Sequence, residues 1–224
     1  MTSPTPSAPS ATATSVAEDL DRMAAAFTAL SRVLLAPPEQ DVLDQLRDAE
    51  LLAQWPGRPS AETRDGVAAL VDSARCGEDA LAVRRDFAQL FVGPERMTAP
   101  PYESVHRSQD KLIFEQDTFV VRAAYAEFGL AAPRLNQEPD DHIGLEMAFV
   151  GELCVRGLDA LDSADTVELA RIQAAITRFL DEHLLVWGPQ CLTLVATEAT
   201  TSFYRGVAAL SLGLLPDAGR TFRP

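Results

Sequence analysis

The sequence predicts an all-α protein, a single-domain bundle of about eight to ten helices, from three observations,. Apolar residues recur at intervals of three and four through nearly every segment. No stretch alternates apolar and polar residues for long enough to form a strand, and no repeat of fixed period occurs. Prolines, glycines and N-capping residues punctuate the periodic runs where helices would start and stop. The 224 residues suit one ordinary domain with a sizeable core,.

The elements follow in order. Met1 to Thr14 is Ser, Thr, Pro and Ala with neither charge nor apolar block, which reads as a disordered tail and lacks the parts of a secretion signal,. Ser15-Val-Ala-Glu18 has capping-box spacing. Behind it Val16, Leu20, Met23, Phe27, Leu30 and Leu34 form one apolar stripe that Pro37-Pro38 ends,. Shorter helices are expected over Glu39 to Ala53, over Ala61 to Arg75 behind Ser60, and over Asp79 to Phe91, where Val83, Phe87, Leu90 and Phe91 share a face,. Prolines from Pro94 to Pro101 make the next stretch irregular. Helix resumes from Asp117 to Phe128, with Gly129 as its stop. A long helix, apolar nearly all round, then runs from Pro139 to about Leu158, which places it at the bundle's centre. Two more follow, from Thr166 to about Val186 and from Pro189 to Leu215. The expected division is a tail over 1–15, a helical domain over 16–215 and a tail over 216–224.

Composition narrows the function. The 33 acidic against 19 basic side chains give a net charge of −14, a field that repels phosphate backbones and anionic lipid and favours a basic peptide,. No apolar run approaches the roughly 20 residues that cross a bilayer. Cys76, Cys154 and Cys191 lie far apart without a C-x-x-C pair, so neither a zinc site nor a disulfide framework is indicated, and a reducing cytoplasm is the simplest compartment,.

The segment EPDDHIGLEM, residues 138–147, concentrates the chemistry. Its residues support three readings. Pro139, Asp140 and Asp141 suit a helix's first turn, where acids meet the positive end of the dipole. His142 and Glu146, four apart, share a helix face and could contribute to a metal-dependent helical enzyme; the one Glu-x-x-His, Glu103 to His106, falls in the irregular loop,. Asp141 and His142 could act as acid and base, although neighbours on a helix diverge. No nucleophile elbow and no glycine-rich phosphate loop accompanies them. His183 sits near an expected helix end, where carbonyl capping or core contact is the plain reading, and Trp187 packs the turn beyond it. Tyr102, an aromatic between two prolines and a glutamate, suits contact with another molecule.

Taken in order, RDFAQLFVGP (85–94), PPYESVH (100–106), FGL (128–130), EPDDHIGLEMAFVGEL (138–153), FLDEHLLVWGP (179–189) and FYRGVAALS (203–211) resemble the TorD/DmsD family of redox-enzyme maturation chaperones. The resemblance spans roughly residues 16 to 215,. It implies a cytoplasmic, all-helical chaperone without catalytic turnover or a cofactor of its own. Such a protein binds the twin-arginine signal peptide and the apo-form of a molybdenum or tungsten oxidoreductase until molybdopterin is inserted. It also implies a signal-peptide site made of Leu90, Phe91, Pro100, Pro101, Tyr102, Asp141 and His142. In that reading Leu90, Phe91 and Tyr102 line an apolar groove, while Asp141 and His142 meet arginines or backbone. Relatives often carry tryptophan where Tyr102 stands and tyrosine where His106 stands. Monomers and domain-swapped dimers both occur among them, and the Asn136–Asp140 stretch is the candidate hinge.

Overall fold

The computed structural model describes residues 11–93, 96–107, 116–133 and 139–223. Eleven α-helices, most of them amphipathic, make up this part: α1 (Ala11–Leu35), α2 (Gln40–Leu46), α3 (Ala49–Ala53), α4 (Ala61–Arg75), α5 (Ala80–Phe87), α6 (Glu103–Arg107), α7 (Gln116–Ala126), α8 (Ile143–Asp162), α9 (Thr166–Phe179), α10 (Leu185–Glu198) and α11 (Ser202–Phe222). Two π-helical turns, Ala88–Val92 after α5 and Leu180–Leu184 between α9 and α10, complete the helical set. The described residues contain no strand. No helix among them is long and apolar enough to cross a membrane.

Side-chain caps explain where several helices begin. The carboxylate or hydroxyl of Asp48, Ser60, Asp79, Asp165 and Thr201 accepts an amide N–H from the first turn of α3, α4, α5, α9 and α11,. The single helix expected over Glu39 to Ala53 therefore divides at Arg47 and Asp48. Arg47 turns inward there, donating to the carbonyl of Glu78 at 2.7 Å and to Asp44 at 2.7 Å.

Two antiparallel helix pairs carry the bundle. α8 lies along α1, with Gly144 against Leu35, Gly151 against Phe27 and Gly157 against Leu20. A Cβ at Gly144 would come within 2.6 Å of the Leu35 Cγ, so only glycine allows this approach,. α4 lies along α11 in the same manner, with Gly66 against the backbone of Leu210 and Gly206 against Leu70. α8 is apolar on most sides and central, as expected. Trp187, Tyr204, Phe27 and Phe203 are the largest side chains fully inside. The Tyr204 hydroxyl ties α11 to the end of α1 by donating to the Val33 carbonyl at 3.1 Å.

Four boundaries differ from the sequence expectation. α1 starts at Ala11 and runs through Ser15–Glu18, so that spacing lies inside the helix; residues 1–10 of the expected tail lie outside the described residues. α8 starts at Ile143 rather than Pro139, because Pro139 to Asp141 form a turn whose acids are used elsewhere. Helix continues from Thr166 through the second π turn to Glu198, with Pro189 inside α10. The break comes at Ala199–Thr201, where Asp86 accepts the N–H groups of Thr200 at 3.0 Å and Thr201 at 2.8 Å. α11 then passes Pro216 and reaches Phe222, so residues 216–222 belong to the bundle rather than to a tail. Asp217 there is buried and paired with Arg22 at 2.6 Å. Of the candidate hinge, residues 136–138 lie outside the described residues.

Candidate functional site

Pro100, Pro101, Tyr102, Asp141 and His142, expected together, do come together at the start of α8. The backbone of Tyr102 pairs with that of His142 in an isolated antiparallel bridge. The Ile143 N–H donates to the Pro101 carbonyl at 2.8 Å, and the Glu103 N–H donates to the Asp141 carbonyl at 2.9 Å. The proline-rich loop is thereby pinned to the entry of the central helix. The Tyr102 and His142 rings meet edge to face, with centroids 5.3 Å apart,.

Each acid of the turn has a structural partner. Asp141 is wholly buried; one carboxylate oxygen accepts the Ser104 N–H at 2.8 Å and the other the Thr118 hydroxyl at 2.9 Å. It therefore caps α6 from across the fold and ties α7 to it, rather than sitting at the dipole of α8. Asp140, also wholly buried, pairs with Arg122 at 2.6 Å, and its carbonyl accepts the Tyr125 hydroxyl at 3.1 Å. The cap of α8 is His142 itself, whose Nδ1 accepts the Gly144 N–H at 3.0 Å. Burial pushes the His142 pKa down to about 4,. The ring is neutral at pH 7, and with Nδ1 accepting, its proton sits on Nε2.

A second layer of buried polar groups stands behind the bridge. Glu103, wholly buried, meets His183 Nδ1 at 2.8 Å and Arg107 at 2.6 Å. His106 Nε2 lies 2.7 Å from the Pro100 carbonyl, and its ring faces Trp187 with centroids 5.3 Å apart. The Trp187 indole N–H donates to Glu146 at 3.1 Å. Burial, reinforced by the charge of Glu103, holds the Glu146 carboxyl well above the usual carboxylate range,.

Leu90 and Phe91 occupy a different place from the one expected. Both are buried, at 0% and 4% exposure, and so line no open groove. Phe91 packs edge-on against Phe87 and Tyr204 at 5.1 and 5.8 Å. Their link to the site is through backbone: the Ala99 N–H donates to the Leu90 carbonyl at 2.9 Å, which sets the path of the loop into Pro100. Pro101 is buried too, leaving Pro100, Tyr102 and His142 as the half-buried members of the predicted set.

The arrangement does not suit metal or acid–base chemistry. His142 spends its Nδ1 lone pair on a backbone amide, and Glu146 faces Trp187 in the interior. Glu103 and His106 turn to separate partners. No group of three or more metal-ligating side chains occurs among the described residues. Sequence reasoning missed Glu103, Glu146, Ser104, Thr118 and Arg122 as supports. Of the two plain readings of His183, carbonyl capping or core contact, the second holds: it is buried against Phe179 and also meets Glu103, a pairing across eighty positions that no local spacing encodes.

Comparison with known proteins identifies the family and its similar members. The family described as nitrate reductase delta subunit matches residues 58–193, more than half of the chain. A TorD chaperone of Vibrio atlanticus is 28% identical over 188 residues, 82% of this chain and 86% of its own. Another TorD, from Aliivibrio fischeri, is 29% identical over 196 residues, 83% and 87% of the two chains. A probable Tat proofreading chaperone, DmsD of Haemophilus influenzae, is 23% identical over 175 residues, 78% and 77% of the two chains.

Proposed function

This chain belongs to the nitrate reductase delta subunit family, alongside the TorD and DmsD chaperones, and from that premise we propose that it binds the twin-arginine leader of an oxidoreductase. It is a chaperone and not an enzyme. Its client is the apo-form of a molybdenum or tungsten oxidoreductase catalytic subunit, held in the cytoplasm and kept from export until molybdopterin is inserted.

One observation carries the reading. At the start of α8 the acids that look catalytic in sequence are buried and partnered, while Pro100, Tyr102 and His142 remain partly exposed where the loop is pinned to the helix. A rigid surface with an aromatic ring, a neutral donor and no reacting group suits recognition. In this role Leu90, Phe91, Pro101 and Asp141 are positioning residues behind the contact surface. The net charge of −14 speeds encounter with a basic leader and loses that advantage as salt rises,.

The test is co-purification from the native cell combined with deletion of the chain. The expected result is an oxidoreductase precursor recovered with its leader intact, and a fall in cofactor-loaded enzyme in the deleted strain. Recovery of no leader-bearing precursor, with cofactor content unchanged on deletion, would refute the assignment.

A further inference from the structure

Away from the bridge, α1 leaves an apolar channel open to solvent. Asp21, Ala25, Thr28 and Arg32 recur along one face of α1 and are all exposed,. Leu46 of α2 and Leu51 of α3 stand on one side of this face, Val155 and Leu158 of α8 on the other, around a groove of about 530 Å³. A smaller apolar hollow reaching Leu30, Trp55 and Phe203 adjoins it, sharing Ala29, Val33, Leu46 and Leu51 as lining. Leu51 is 58% exposed and Val155 42%,.

Along α1 and α8 the unpaired charges beside the groove are polarised. Glu18 lies one turn before Asp21 on α1, and Asp162 lies one turn after Leu158 on α8,. Because the two helices run antiparallel, these three acids fall at the same end. All are exposed, and none forms an ion pair among the described residues. The opposite end carries Arg32, exposed and likewise without an ion pair among the described residues.

We infer that this groove receives the apolar segment of the client's leader as a short helix, with its basic head at Glu18, Asp21 and Asp162 and its carboxyl end toward Arg32. The inference rests on the leader-binding reading above. From Asp21 to Arg32 the groove is about 16 Å long, enough for roughly eleven helical residues. A helix in that direction sets its positive end among the acids and its negative end beside Arg32, which complements its dipole at both ends. An anionic peptide would meet the acids head-on. A second copy of this chain would bring two bodies of charge −14 together, which like-charge repulsion opposes,. The burial of Leu90 and Phe91 gives the groove its role, because the bridge region alone offers little apolar surface for a leader's middle segment.

The test is fluorescence anisotropy with the full chain and a labelled synthetic peptide carrying Arg-Arg followed by a Leu/Ala-rich segment. Leu51→Asp and Val155→Asp, at exposed positions, are expected to weaken binding about tenfold or more without lowering the melting temperature. Neutralising the acids with Glu18→Gln and Asp21→Asn is expected to weaken it roughly threefold to tenfold and to flatten its salt dependence. A photo-crosslinker within the apolar segment should mark peptides containing Leu51 or Val155, a readout that does not depend on variant stability. If the wild type binds, these variants bind equally well and crosslinks map to Tyr102 and His142, the groove assignment is overturned while leader binding stands. If the wild type binds no such peptide, leader binding itself fails, and the groove assignment with it.

Discussion

The two ends of α8 use acidic residues in opposite ways. At its amino end Asp140, Asp141 and Glu146 are wholly buried, each tied to a partner in another element. At its carboxyl end, and on the stretch of α1 beside it, Asp162, Glu18 and Asp21 stand in water without ion pairs among the described residues. Desolvating a carboxylate costs several kcal/mol unless hydrogen bonds replace the lost water. The buried set is therefore committed to holding three chain segments together. The exposed set carries no such duty and remains open to a basic ligand. A dense acidic motif in sequence thus marks a structural knot here, and the sparser acids carry the free charge.

The sharpest way to break this contrast is Asp141→Ala. It removes two hydrogen-bond acceptors from the interior, strands the Ser104 amide and the Thr118 hydroxyl, and is expected to cost about 3 kcal/mol or more in chemical denaturation. A variant as stable as wild type that had lost leader binding would make Asp141 a contact residue instead.

His142 gives the next effect. An unfolded histidine protonates near its ordinary value of 6.5, whereas the folded ring resists until about 4. The unfolded chain binds the extra proton in that window. This contribution to stability is therefore complete above pH 6.5 and is lost as pH falls from 6.5 toward 4. His142→Asn keeps a helix-capping side chain without the titration. Denaturation midpoints of the two proteins should converge as pH drops through this range, relative to their separation at pH 7; parallel curves would show that the ring is not held neutral.

A smaller effect is expected at Glu146. Its carboxyl is held well above the ordinary value of 4.5, so below that pH Glu146→Gln, similar in shape and charge to the protonated acid, should shift stability by less than about 1 kcal/mol,. As pH rises above 4.5 the unfolded wild type ionises before the folded protein does, so wild type loses stability that the glutamine variant keeps,. Equal pH profiles for both proteins would show that the Glu146 carboxyl is not held above its ordinary range. The smallest effect should come from Asp21→Asn, within about 0.5 kcal/mol in the same assay, since nothing in the fold relies on it.

Much of this architecture was legible in the sequence because it is locally encoded. The α4 boundaries follow from Ser60 and the apolar period behind it, and the stop after α7 follows from Gly129, whose φ of +66° favours glycine,. The start of α8 was misplaced because its cap is a histidine, outside the usual capping residues, and because Asp140 and Asp141 serve helices other than the one they precede,. The run through Pro189 was missed since the preceding π turn reshapes the hydrogen-bond ladder that a proline would otherwise break,. At the site, Tyr102 and His142 were recognised from motif order. The burial of Leu90 and Phe91, and the pairing of Glu103 with His183, depend on contacts between distant segments that no window of sequence contains.

The proposed function requires that this chain grip a basic, apolar leader and change nothing in it. Calorimetric titration of the intact protein with a synthetic leader, alongside the same leader with its arginine pair replaced by alanine, tests it most directly. The expected result is saturable binding of the arginine leader, weaker binding of the alanine one, a loss of affinity as salt rises, and recovery of both peptides chemically unaltered. Equal affinity for the two, or a product formed from either, would contradict it.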